Sequence, residues 1–339
     1  MITLLDELYQ QPQALRDMIG HYSGAGGAAL RALGPRPALP IFTGLGASFH
    51  AAWIAGLHLQ HLGFPALCIE ASDLVNYAPA LLRDGATVIC ISQSGSSGEV
   101  VELARRMPAG ARLIAMTNNP GSELANAAAV TLPLMAGAET LIASKTLTNT
   151  LALVWLVARQ WGGASDGHEF ETLEMLARRV EDRLADTRGA DRLMQTLDPN
   201  RGLMFVGHGP HAATARHASM MLAEWPKVPS QAFGLAAFRH GFIEAVAPDL
   251  GVVALASGSQ RTSVERLASE LADYGTRVLL LDQGEVRGGD EVIPTSSPLD
   301  EFLAPILDII TLQHWAVRLA EDRGVEPGFR HISKVVRTR

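Results

Sequence analysis

Apolar and polar positions follow two different rhythms along the chain. From Pro40, short apolar runs rich in β-branched residues occur at 40–46 (PIFTGLG), 66–71 (ALCIEA), 87–92 (TVICIS), 112–117 (RLIAMT) and 129–134 (AVTLPL). Between them, apolar residues recur at helical spacing over 49–61, 77–82 and 98–107. Strand–helix alternation of this kind predicts a parallel sheet covered on both faces. A long helix is expected over 144–161, a linker at 162–170 (GGASDGHEF), and a further helical segment over 170–196.

The pattern then restarts. LMFVGHGPHAATARHASMMLAE at 203–224 repeats the layout of IFTGLGASFHAAWIAGLHLQ at 41–60: an apolar strand, Gly-x-Gly, then a helix rich in small and apolar residues. In step with it, GVVALASGSQRTSVERLASEL at 251–271 echoes ATVICISQSGSSGEVVELARRM at 86–107. Two matches in the same order predict duplicated α/β units. A dinucleotide fingerprint is not expected: Phe49 and Ala212 stand at the sixth position of the two Gly-x-Gly motifs, and no acidic residue follows at the end of a next strand.

The segment 92–98 (Ser-Gln-Ser-Gly-Ser-Ser-Gly) joins a strand's C-terminal end to a helix start. Unpaired N–H groups and the positive end of the helix dipole favour an anion there, and hydroxyls add donors without bulk. Serine also serves ordinary capping, but this loop holds more hydroxyls than a cap requires. A phosphate or sugar phosphate is the expected ligand.

The 339 residues suffice for two domains, and 47% hydrophobic with 19% charged residues describes a globular chain. A net charge of −7 argues against nucleic-acid or anionic-membrane surfaces, so an anionic ligand must be held locally. The two cysteines, Cys68 and Cys90, lie in strand-like runs and read as buried thiols of a reducing compartment. No secretory leader or membrane span is expected, and a cytoplasmic location follows.

Taken together, GLGASFHAA (44–52), ISQSGSSGE (91–99), the stretch 117–146 and PGFRHISKVVRT (327–338) resemble the isomerase half of glucosamine-6-phosphate synthase. That region is a tandem pair of sugar isomerase (SIS) domains. LDELYQQPQAL at 5–15 resembles the segment preceding the first of them. The resemblance implies two α/β domains, each a parallel five-stranded, flavodoxin-like sheet flanked by helices. The expected divisions are a helical leader over 1–35, SIS domains over 36–165 and 166–325, and a tail over 326–339 that covers the site.

By position, the family's sugar-phosphate site falls on Ser48, Ser92, Gln93, Ser94 and Ser97, with Ser144 near the sugar hydroxyls and Glu139 at a further acidic position. The catalytic carboxylate falls on Glu224, the ring-opening imidazole on His240, and the tail lysine that forms an imine with the open-chain ketose on Lys334. Glu224 ends an apolar helix, so a raised pKa is expected. In the family the imidazole reaches into the neighbouring subunit, which implies a homodimer with shared sites.

Two departures bear on the chemistry: Met221 stands where the synthase has a helix lysine, and His217 where it has a glutamate. The synthase also carries a glutaminase domain with a cysteine nucleophile, whereas the first cysteine here is Cys68, so use of glutamine is not expected. The resemblance implies an enzyme without metal or redox cofactor that opens a hexose or hexosamine 6-phosphate and moves a proton between C1 and C2. Its expected reaction is deamination of glucosamine 6-phosphate to fructose 6-phosphate and ammonia. Aldose–ketose isomerisation, cleavage of a phosphorylated sugar–amine conjugate, and a non-catalytic sugar-phosphate sensor are the alternatives.

Overall fold

The computed structural model describes residues 3–140, 142–288 and 299–333. The chain divides into two units, one running through Arg178 and including the segment from Phe329, the other Arg179–Gly328.

The first unit begins with helices α1 (Leu4–Tyr9), α2 (Gln11–Ser23) and α3 (Gly27–Ala32). Then β1 (Pro40–Thr43), α4 (Ala47–His61), β2 (Leu67–Cys68), α5 (Ala71–Asn76), β3 (Thr87–Ile91), α6 (Gly98–Arg106), β4 (Arg112–Thr117), α7 (Glu123–Ala127) and β5 (Val130–Pro133) follow. The five strands are all parallel, in the order β2-β1-β3-β4-β5. β3 is buried along its whole length, as a central parallel strand must be. Val100 and Leu103 of α6 pack on Ile41, Val88, Cys90 and Leu113. Cys90 is buried and Cys68 half-buried, and burial pushes both thiols up to about 12.

The unit closes with α8 (Lys145–Trp161), which packs against α2 and α4, and α9 (Glu169–Ala185), within which the two units divide. Polar bonds tie the N-terminal helices down: Glu7 accepts from the amide and hydroxyl of Thr140, Lys145 donates to Gln10, and Thr148 donates to Gln11.

Two helical expectations are corrected. Over 77–82 the helix lies earlier, at α5, and gives way to a 3-10 turn at Pro79–Leu81, because the residue before a proline is steered out of the helical region. The segment 170–196 is broken at Asp186, whose carboxylate accepts from the Arg188 amide and side chain, so α10 (Arg188–Thr196) starts anew.

The second unit continues with β6 (Leu203–Gly207), α11 (Pro210–Glu224), β7 (Gln231–Gly234), α12 (Leu235–Arg239), β8 (Gly251–Leu255), α13 (Arg261–Asp273), β9 (Arg277–Asp282), β10 (Glu285–Gly288) and α14 (Ala304–Asp322). The order is β10-β9-β8-β6-β7. This sheet is not wholly parallel as expected: β10 runs antiparallel to β9. The connection is the two-residue turn Gln283-Gly284, with φ of 51° and 84°, far too short for a parallel crossover and suited to a tight hairpin. Asp308 of α14 accepts from the Gly284 amide and faces the buried His211 ring at 3.2 Å.

The internal repeat is visible in the backbone. Gly46 and Gly209, at the starts of α4 and α11, share φ, ψ of 53°, −125° and 55°, −126°. Such a conformation suits glycine alone. The preceding glycines are needed for close approach: a Cβ on Gly44 would lie 2.9 Å from the Ile91 carbonyl oxygen, and one on Gly207 2.3 Å from that of His211. Among the described residues no helix is long and apolar enough to cross a membrane.

Candidate active site

In the first unit, β1 connects outward to β2 and β3 outward to β4. Their C-terminal ends therefore flank the crevice where open α/β sheets bind ligands. The loop 92–97 leaves β3 at this crevice and enters α6. Ser92 is buried and its hydroxyl accepts from the Gly95 amide at 3.1 Å, which closes the loop on itself. Gly95 has φ 62°, and a Cβ there would collide with Ser122. The Ser94 hydroxyl accepts from the Ser96 amide at 3.3 Å, while the Gln93 carbonyl is held by the Asn118 amide and Thr117 hydroxyl. Ser97 occupies the N-cap position of α6 in extended conformation, yet its hydroxyl makes no capping bond. The start of α6, where open amides and the helix dipole favour an anion, thus follows a loop closed by its own hydrogen bonds at the crevice. Ser48, half-buried in the first turn of α4, belongs to the neighbouring Gly-x-Gly turn on β1.

Glu139 and Ser144 are engaged with each other. The Glu139 carboxylate accepts from the Ser144 amide and hydroxyl at 2.9 and 3.1 Å, and from the Thr146 amide and hydroxyl at 3.1 and 2.6 Å. It is thereby a buried side-chain cap on α8, and Ser144 has no exposed surface.

In the second unit, Glu224 is the last residue of α11. Burial pushes its carboxyl up to about 7, against the opposing pull of the Lys227 charge. Lys227, which sequence reasoning did not single out, sits at φ 58° and donates to the backbone carbonyls of Glu224 and Gly328. A lysine three residues past a candidate acid was the available signal. Met221 and His217, earlier on α11, are both buried.

His240 follows α12 at the other end of the unit and is exposed. It lines a cleft of about 420 Å³ with His208, Arg239, Gln260, Ser263 and Arg266. Arg239 is paired with Glu270 at 2.8 Å. The arginines and Gln260 were not anticipated, because nothing in the local pattern marks α13 as cleft-lining. Glu224 is not in this cleft. Parallel β6 and β7 place the start of α11 and His240 at one edge of the sheet, and α11 carries the chain back to the other. Fifteen residues of helix separate the edges by on the order of 20 Å. Lys334 lies outside the described residues.

Residues 41–159 match the SIS domain family. The chain is 27% identical over 341 residues to the glutamine–fructose-6-phosphate aminotransferase (isomerizing) of Streptococcus pyogenes serotype M1, covering 95% of this chain and 56% of that protein. It is 27% identical over 339 residues to the Thermococcus kodakarensis enzyme of the same name, covering 96% and 56%. The chain thus spans little more than half the length of these relatives. Among solved structures, tagatose-6-phosphate ketose/aldose isomerase from Escherichia coli superposes with a TM-score of 0.81 at 21% identity, covering 96% of this chain and 95% of that one. Glucosamine-6-phosphate deaminase from Thermotoga maritima gives a TM-score of 0.77 at 18% identity, covering 98% and 100%. At these identities the likeness establishes a shared fold of tandem α/β units.

Proposed function

We propose that this SIS domain protein is a phosphosugar isomerase, and that its substrate is a hexosamine 6-phosphate which it deaminates to the ketose 6-phosphate. The observation that carries the reading is the loop 92–97: a turn closed by its own hydrogen bonds at the crevice of the first sheet, entering a helix N-terminus with the Ser97 hydroxyl uncommitted to capping. Ser92, Gln93, Ser94, Ser97 and Ser48 would hold the phosphate.

Proton transfer falls to Glu224, whose carboxyl at about 7 is poised to accept and return a proton near neutral pH. In the open-chain amino sugar it removes the C2 proton, the electron pair moves into the C1 carbonyl, and reprotonation at C1 yields a C2 imine. Water then hydrolyses the imine to ketose and ammonia. His240 would assist ring opening from the partner subunit of a homodimer, and Lys334 would act at the carbonyl end. The similar proteins are named for aminotransfer with isomerisation, ketose/aldose isomerisation and deamination, reactions that a C1–C2 proton shift would serve.

A second reading rests on Met221. This side chain is buried and cannot carry a proton or charge at the position of the synthase's lysine, which favours plain aldose–ketose isomerisation. Incubation with glucosamine, galactosamine, glucose and fructose 6-phosphates separates the two. Ammonia released with ketose phosphate supports deamination; interconversion of glucose and fructose 6-phosphates without turnover of any amino sugar replaces it with isomerisation.

A further inference from the structure

The second sheet has its own crevice. β6 connects outward to β7 and β8 outward to β9, so the C-terminal ends of β6 and β8 flank a switch point like that between β1 and β3. The cleft of about 420 Å³ stands there, between the turn at His208, the α12 end at Arg239 and His240, the α13 N-cap Gln260, and the face of α13 carrying Ser263 and Arg266. Its size is that of a small-molecule site.

Its charge is unlike that of the chain. Two guanidiniums face one carboxylate, Glu270, which Arg239 already engages. Arg266 makes no ion pair among the described residues, and two imidazoles complete the rim. In a chain of net charge −7 this is a local excess of positive charge. Guanidinium forks bind phosphate oxygens in pairs. The Ser263 hydroxyl donates to the Gln260 Oε1 at 3.2 Å, which leaves the Gln260 amide nitrogen as a neutral donor for a ligand hydroxyl.

The cleft does not copy the serine loop. Val264 and Leu267 take the core positions that Val100 and Leu103 take in the first unit. In that register Ala256, Gly258 and Arg261 stand where Ser92, Ser94 and Ser97 do. The loop's Ser259 is already held: its amide and hydroxyl donate to the Glu301 carboxylate at 3.0 and 3.2 Å.

We propose that this cleft is a second anion site that binds a small phosphorylated metabolite through Arg266 and Arg239, independently of the Ser92–Ser97 loop. The inference does not require the activity proposed above. If His240 acts in ring opening, occupancy of the cleft is also felt in catalysis, because the bound anion would contact that ring.

Calorimetric titration of the full chain with inorganic phosphate and with fructose 6-phosphate tests it. Two sites per chain are expected. Ser94→Ala with Ser97→Ala should remove one and leave the other. Arg266→Glu should weaken the remaining site at least tenfold, and the combined variant should bind neither probe. Arg266 is exposed, so its replacement should leave the fold intact; if circular dichroism shows otherwise, Arg266→Gln takes its place with the same expectation. A single site per chain in the unaltered protein, or an Arg266 variant whose titration superimposes on it, overturns the proposal.

Discussion

Glu224 and His240 stand at opposite edges of the second sheet, joined by the length of α11 and by β7. A reaction centre that uses both residues therefore cannot be assembled from one copy of this unit. Under the proposed function two copies would each lend one group. Glu224→Ala and His240→Ala chains, each inactive, should regain activity when dissociated and reassociated together. Random pairing makes half the dimers hybrids with one intact centre of two, so about a quarter of wild-type activity is expected. Hybrid dimers that form and remain inactive would show that His240 is not lent across subunits, and a His240→Ala chain that keeps full activity would place it outside the reaction.

The serines of the loop should separate binding from folding. Ser97→Ala removes a hydroxyl that makes no capping bond, so stability should change by less than about 0.5 kcal/mol while KM for the sugar phosphate rises severalfold. Ser92→Ala also breaks the bond to the Gly95 amide and should cost about 1 kcal/mol in addition to raising KM. Urea unfolding beside steady-state kinetics reads both.

The pH response of Glu224 has a definite sign. Its carboxyl titrates at about 7 in the folded chain against 4.5 unperturbed, so the native state holds the proton longer. The stability associated with the neutral form is fully present below about pH 4.5 and is lost as the pH rises through about 7. Glu224→Gln, which mimics that neutral form, should match wild type near pH 4.5. At pH 8 it should be more stable by up to about 3 kcal/mol. Thermal unfolding at both values checks this; an equal offset at the two would refute it.

Glu139 should behave as a structural residue. Glu139→Ala strips the cap from α8 and leaves the amides and hydroxyls of Ser144 and Thr146 buried without it. A loss of about 2–4 kcal/mol is expected from chemical denaturation. An unchanged midpoint would contradict the capping role.

Strand–helix alternation, the repeat of Gly-x-Gly followed by a small-residue helix, and the polar loop at 92–98 are all legible in the amino-acid sequence. Each reports a local requirement: which face is buried, where φ must be positive, where amides lie open. Other features depend on neighbours distant in sequence. β10 turns back on β9 because Gln283-Gly284 forms a hairpin, which the apolar pattern of a strand does not distinguish from a crossover. The cleft lining joins residues from 208 to 270, and its charge appears only when α13 is laid beside α12. Sequence by itself determined that Glu224 ends an apolar helix. The same position predicts a raised pKa, which the shift to about 7 by burial bears out. Tertiary structure alone decided that Glu224 stands at the edge away from His240, because position across the sheet comes from topology while periodicity records only which side faces inward.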